Sequence, residues 1–247
     1  MEPEPVLVVD GLGKRYGELQ AASEVSFRVG AGEIVGLCGP NGAGKTTTLR
    51  AIAGIVTPTQ GRIAIGGHDV QRAPIAAKRL LAFVPDEPAV FDHLTVLEHL
   101  RLVGRLWDVA DADARARALV AEVELEAKQD ELASALSRGM KQKLTLACAL
   151  IHDPRLLLLD EPLTGLDPVA IRRTKDRVLR AAREGAAVLL SSHLLSLVEE
   201  LCNRVVFLRR GRVVFDGTTA TLKQLHGAEA ATLEQAFFRL TEGPPPG

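Results

Sequence analysis

The spacing of apolar positions changes along the chain, and each change marks an element. Residues 6–9 read Val-Leu-Val-Val and residues 25–29 alternate Val-Ser-Phe-Arg-Val. They predict two antiparallel strands on either side of a turn-rich segment, 11–22. Residues 33–38 read as a strand and 47–53 as a helix leaving it. After a turn at 57–61, residues 62–65 predict a short strand that Gly66 and Gly67 reverse. Residues 81–84, Leu-Ala-Phe-Val, predict a core strand that stops at Pro85-Asp86-Glu87-Pro88.

From there the composition becomes helical. Thr95-Val-Leu-Glu98 is a capping box, and its helix carries Leu97, Leu100, Leu102 and Val103 towards Trp107. Residues 112–126, rich in Ala, Arg and Glu, predict a second helix. Ser137 can cap a third, whose inner face is Leu144, Ala147, Cys148 and Ile151 and which stops before Pro154. Residues 156–159 are four consecutive leucines. Such a run predicts a strand buried on both faces, hence a central strand of a parallel sheet. Asp167 and Pro168 start a helix that ends near Gly185. Residues 186–190 predict another buried strand, and 204–208 with 213–215 a hairpin turning at Gly211. A short helical tail follows, and its last residues, Gly-Pro-Pro-Pro-Gly, read as disordered.

Composition narrows the classes. The 247 residues are 47% hydrophobic, enough for a substantial core, and carry 30 basic against 31 acidic side chains. No basic excess argues for a nucleic-acid partner. Cys38, Cys148 and Cys202 form no C-x-x-C pair, which fits a reducing compartment better than a disulfide framework or a zinc site. The acidic start, Met-Glu-Pro-Glu-Pro, does not read as a signal peptide. No apolar run approaches the ~18 residues that span a bilayer, so the chain reads as soluble by itself.

The candidate chemistry begins at residues 39–47, Gly-Pro-Asn-Gly-Ala-Gly-Lys-Thr-Thr. They fit G-x-x-x-x-G-K-[ST], a phosphate-binding loop. Glycines let successive backbone N–H groups face one point, Lys45 adds a charge, and Thr46 offers a hydroxyl to Mg²⁺. A plain glycine turn explains the glycines but not the lysine. Asp160 and Glu161 close the leucine strand. Carboxylates there are costly unless they hold a metal or do chemistry. Asp167 is explained equally by its role as a helix cap. His193 follows Ser191-Ser192 at the end of the next buried strand; a satisfied strand-end histidine would explain it, but that place favours a γ-phosphate contact. Tyr16, the only tyrosine, can stack on a base or simply half-bury at a strand end.

Taken in order, these stretches resemble the ATP-binding cassette ATPases that drive transporters. Lys14-Arg-Tyr-Gly17 resembles their adenine-stacking loop and 39–46 their Walker A motif. Leu136-Ser-Arg-Gly-Met-Lys-Gln142 is similar to their signature, normally Leu-Ser-Gly-Gly-Gln. Residues 156–161 resemble Walker B with the catalytic glutamate, Gly165-Leu-Asp167 the D-loop, and His193 the switch histidine. The likeness covers residues 5–225 and is nearer to subunits of bacterial exporters than to sugar or amino-acid importers.

The resemblance implies an α/β fold. Its P-loop NTPase core would have a mostly parallel sheet, an N-terminal antiparallel β subdomain and an inserted helical subdomain. Residues 1–88 and 151–225 would form the ATP-binding core, 89–150 the helical subdomain with the signature, and 226–247 a short tail. ATP and Mg²⁺ are the implied cofactors. Tyr16, Gly39, Asn41, Gly42, Gly44, Lys45, Thr46 and Thr47 would hold the nucleotide. Asp160, Thr46 and Asp86 would serve the metal, and Glu161, His193 and Lys45 the chemistry. Ser137, Gly139, Gln142 and Asp167 would complete the site, the signature acting on ATP held by a second subunit. The resemblance also implies that signature and phosphate loop do not meet within one chain. A separate membrane-spanning permease would be the partner, placing this chain at the inner face of the cell membrane, cytoplasmic and peripheral.

One position departs from the pattern: the loop after residue 84 usually carries glutamine, and here it carries Asp86. Asp86 is acceptor-only when ionised and adds negative charge near Asp160 and Glu161; as a plain turn former between prolines it needs no function. Three alternatives stand beside the transport reading. A cassette ATPase acting on DNA or ribosomes typically adds coiled coils, zinc cysteines or a second cassette. A P-loop kinase leaves the signature and His193 unused. A regulatory module without turnover does not need Glu161.

Overall fold

The computed structural model describes residues 4–225 and 232–235. The tail expected to be disordered lies outside the described residues. In chain order the strands and helices are β1 (Leu7–Tyr16), β2 (Leu19–Val29), β3 (Ile34–Cys38), α1 (Lys45–Ile52), β4 (Gln60–Ile65), β5 (His68–Asp69), α2 (Pro74–Arg79) and β6 (Leu81–Val84). Then come α3 (Val96–Leu106), α4 (Ala112–Glu122), α5 (Arg138–Leu150), β7 (Leu156–Asp160), α6 (Pro168–Arg183), β8 (Ala187–Ser191), α7 (Leu195–Leu201), β9 (Arg204–Arg209), β10 (Arg212–Thr218) and α8 (Thr219–Leu225).

Two sheets result. One is antiparallel, in the order β2-β1-β4-β5; the other runs β10-β9-β3-β8-β7-β6, parallel except for the β9–β10 hairpin. The leucine strand explains why the second sheet is covered on both sides. Leu157 and Leu159 enter one apolar cluster, and Leu156 and Leu158 the other. All four are fully buried. Each contributes roughly 1.5–3 kcal/mol of transfer free energy. Because both faces are apolar, burial alone does not fix the register; the charged pair that follows it does.

The helical segment is α3, α4 and α5, with two 3-10 turns at Glu126–Lys128 and Ala133–Ala135. It is entered from β6 and left into β7, which pair directly. Val96, Leu100, Leu119, Leu144 and Ile151 share one cluster with Leu157, Leu159 and Leu190, so the helices extend the core on one face of the sheet. At its outer side, Glu124 pairs with Arg173 of α6 and Lys143 of α5, while Glu122 pairs with Arg177 and Arg180 of α6.

Four sequence expectations are corrected. The segment 11–22 is mostly strand: β1 and β2 run on to a turn at 17–18, with Tyr16 opposite Leu19. Register shifts after Val9, Leu12 and Lys14 absorb the glycines that read as turns. The second helix ends at Glu122, not 126, because Glu124 takes a left-handed φ of 56°. Leu102 points outward, 37% exposed. Finally, α2 and α7 were not foreseen. Cys38 and Cys202 are buried and Cys148 packs at the core's rim. Burial pushes the Cys148 and Cys202 thiols up to about 12, and Cys38 higher still.

Candidate active site

Four parallel strands end at one level. The register sets Leu37 and Asp160 beside Ser191 and Val84 beside Leu159. The chain therefore leaves the sheet at Gly39, Glu161, Ser192 and Pro85 side by side. Ligands of such sheets bind outside these carboxyl ends. Here they border a cleft of about 490 Å³, lined by residues 19–21 and 41–47 and by Asp86, Arg138, Asp160, Glu161, Thr164 and His193.

The loop 39–44 is built for close backbone approach. Gly39 has φ 151°, and a Cβ there would meet the Leu208 carbonyl oxygen at 2.3 Å; at Gly44, φ 102°, it would meet that of Ala21 at 2.4 Å. The helix that follows, α1, starts at Gly44 with no side-chain cap and no acid in its first turn. Thr95, Ser137 and Asp167 cap α3, α5 and α6 with their side chains, while α2, α4 and α7, like α1, have no such cap; of these four, α1 is the one whose first residues line the cleft. Its first N–H groups have no intrahelical partner and face the cleft with the positive end of the helix dipole. Lys45 Nζ folds back to donate to the carbonyls of Gly39 at 2.7 Å and Pro40 at 3.2 Å. These parts together make an anion cradle.

The carboxylates face it. Asp160 is 3% exposed, and Ser191 Oγ donates to its Oδ1 at 2.5 Å. Glu161 turns off the strand with φ 49°, its N–H donating to the Ser191 carbonyl at 3.0 Å. Its Oε2 lies 2.8 Å from His193 Nδ1, and Ser192 Oγ donates to it at 3.4 Å. With Glu161 ionised, the His193 tautomer that fits carries its proton on Nδ1. A carboxylate so held can accept a proton from a water, and the ring beyond it, 59% exposed, remains open to a ligand.

The other expected residues lie elsewhere. Tyr16 is exposed at the β1–β2 turn, outside the cleft lining, with Lys14 Nζ 4.9 Å from its ring centre; its strand partner Leu19 lines the cleft instead. Gln142 is buried and donates to the Pro162 carbonyl at 3.4 Å, which ties α5 to the turn after β7. Asp167 caps α6, and the Ala170 N–H is the main reason its carboxyl is held below the usual range. Ser137 accepts from the Met140 N–H at 3.3 Å, and a Cβ on Gly139 would sit 3.1 Å from the Gly165 carbonyl oxygen. Neither lines the cleft. Arg138 between them does, so one side chain of the signature segment shares a cleft with the phosphate loop of its own chain. Sequence reading missed Arg138 and Thr164 and the hydroxyls of Ser191 and Ser192. An arginine where the signature carries glycine was the available signal for the first.

Residues 22–164 match the ABC transporter family. The chain is 34% identical to the ABC-type transporter ATP-binding protein EcsA of Bacillus subtilis, covering 96% of this chain and 97% of that one. It is 39% identical to the Nod factor export ATP-binding protein I of Paraburkholderia xenovorans over 89% of this chain and 73% of the relative. A solved structure described as the ATP binding subunit of an ABC transporter superposes with a TM-score of 0.90 at 35% identity, over 95% of this chain and 99% of that one. The chain belongs to the ABC transporter family, as an ATP-binding, ATP-hydrolysing subunit that powers transport through a membrane-spanning partner.

Proposed function

We propose that the cleft binds Mg-ATP and that Glu161 is the general base of its hydrolysis, in a subunit that drives export. The uncapped N-terminus of α1 carries this reading: a helix end left for an outside anion, set opposite Asp160 and Glu161 at the carboxyl ends of the sheet. Residues 41–47 cradle the phosphates, and Lys45 exchanges its two loop carbonyls for phosphate oxygens. Among the described residues no three His, Cys, Asp or Glu side chains cluster to hold a metal unaided. Mg²⁺ takes one or two protein ligands and completes its shell with phosphate and water. The Thr46 hydroxyl would be such a ligand, with Asp160 and Asp86 holding metal-bound water; the ion would neutralise phosphate charge. Glu161 accepts the attacking water's proton, and His193 orients Glu161 and reaches towards the γ-phosphate.

Two copies close face to face over two nucleotides, the α5 end of one, with Ser137 and Gly139, completing the site of the other. Residues 89–150 move as the lobe that transmits this closure. Among the described residues no helix is long and apolar enough to cross a membrane. The chain works at the inner membrane face through its membrane-spanning partner, as an ATP-binding subunit of this family would. An open groove between core and helices suits a partner helix: it is lined by exposed Ile55 and Trp107 with Phe83, Val103 and Cys148. The form of the signature and the likeness to Nod factor export ATP-binding proteins support export.

The test is Glu161→Gln. An amide cannot take the proton, so ATP binding is expected to persist while the steady-state ATPase rate at saturating Mg-ATP falls at least ~100-fold, the lower bound for losing a general base. A variant that keeps most of the wild-type rate removes Glu161 from this role.

A further inference from the structure

We propose that Arg138 is a second phosphate-directed cation in its own chain's cleft, held in reserve by Asp86. The inference rests on the nucleotide reading of the cleft. Arg138 opens α5, and Asp86 lies just beyond β6. Arg138 Nη2 and Asp86 Oδ1 are 3.8 Å apart, with the side chains 55% and 52% exposed. Both line the cleft with Lys45, Asp160 and Glu161.

Both residues depart from the family pattern quoted above, glutamine having become Asp86 and glycine Arg138. The departures have opposite signs, and the fold brings them together. An acid at 86 alone would set three carboxylates, Asp86, Asp160 and Glu161, against one lysine, where a polyphosphate must enter. Arg138 offsets that charge. Its stem has a support. Gly165, at φ 80°, lies beneath it, close enough that a Cβ there would touch Arg138 Cδ at 3.4 Å and Nε at 3.5 Å, an ordinary contact distance. The stem lies across the turn after β7, and the residue lines the cleft.

An exposed pair of this kind is weak, worth no more than about a fivefold shift in an equilibrium. A triphosphate offers the guanidinium two oxygens and more charge than one carboxylate. Arg138 therefore leaves Asp86 when the γ-phosphate arrives, and Asp86 becomes free for the water shell of Mg²⁺. The exchange makes affinity depend on the third phosphate.

Fluorescence titration with a non-hydrolysable ATP analogue and with ADP, at monomer concentrations, with and without Mg²⁺, tests this. Arg138→Ala is expected to weaken the analogue about fivefold and ADP less than about twofold, and Arg138→Lys to recover part of the loss. Asp86→Ala is expected to tighten the analogue about threefold in EDTA, less in Mg²⁺, where its contact to the metal's water shell is lost as well, and less in the Arg138→Ala background, where only its repulsion of the phosphates is left to relieve. Equal effects of Asp86→Ala in both backgrounds, or an effect that vanishes in EDTA, would place Asp86 on the metal alone and overturn the proposal. So would an Arg138→Ala protein that binds the analogue as wild type does. Lys45→Ala is the control: if it too binds normally, the cleft reading itself has failed.

Discussion

Glu161 shows what one residue does when a strand ends on it. The left-handed φ of 49° costs of order 1 kcal/mol for a residue with a side chain. Its N–H bond to Ser191 holds that turn in place and brings the carboxylate to His193 rather than along the strand. His152 is the opposite case, a titratable group outside the chemistry. Its Nε2 lies 3.2 Å from the Leu81 carbonyl and its ring centre 5.0 Å from that of Trp107. Burial pushes its imidazole below the usual 6.5. The unfolded chain then takes up the proton first. The stability at stake is fully present above pH 6.5 and is lost as pH falls from there through the folded value. Thermal melts at pH 7.5 and 5.5 are expected to show a larger loss for wild type than for His152→Gln. The same loss in both proteins would assign the pH dependence to other groups.

At the scale of elements, caps and burial patterns carried most of what could be read in advance. The side-chain caps at Thr95, Ser137 and Asp167 and the buried run at 156–159 need only local spacing, and they stand where the sequence placed them. The bulged later part of β1, from Gly11 to Tyr16, did not read as strand, because its glycines mimic turn chemistry and only the pairing with β2 and β4 reveals them as bulges. Helix α2 has six residues, too few for a period to declare itself. In the cleft, the loop 39–47 and the pair Asp160-Glu161 were legible because their spacing encodes their chemistry. Arg138 was not, since a charged residue in a first turn ordinarily faces solvent. The end of α5 also bears on the proposed dimer. In a Glu161→Gln background, Gly139→Asp is expected to abolish ATP-driven dimerisation seen by light scattering, by setting a negative charge against the neighbour's γ-phosphate. Because a Cβ at 139 already crowds the Gly165 carbonyl, Gly139→Ala is the control and is expected to dimerise. Normal dimerisation of Gly139→Asp would exclude α5 from the shared site.

For the whole molecule, the continuous cluster from α3–α5 to the parallel sheet means that the helical segment shares the core of the sheet and has no separate one. Its outer edge is tied by charge, through Glu122 and Glu124 to α6. The apolar groove predicts how the protein meets its partner. Co-expressed with its permease, the chain is expected to sediment with membranes and to remain there in ~1 M salt, where the Debye length is about 3 Å. Release by that wash would mean attachment by surface charge instead. The three native thiols have a practical corollary for watching the movement proposed for residues 89–150. Cys38 and Cys202 are buried and Cys148 is half-buried, and burial raises all three thiols, which disfavours the thiolate at neutral pH. An exposed cysteine with an ordinary pKa of about 8.5 carries far more of it. A maleimide is therefore expected to label a cysteine introduced on α4 and another on α6 ahead of the native ones.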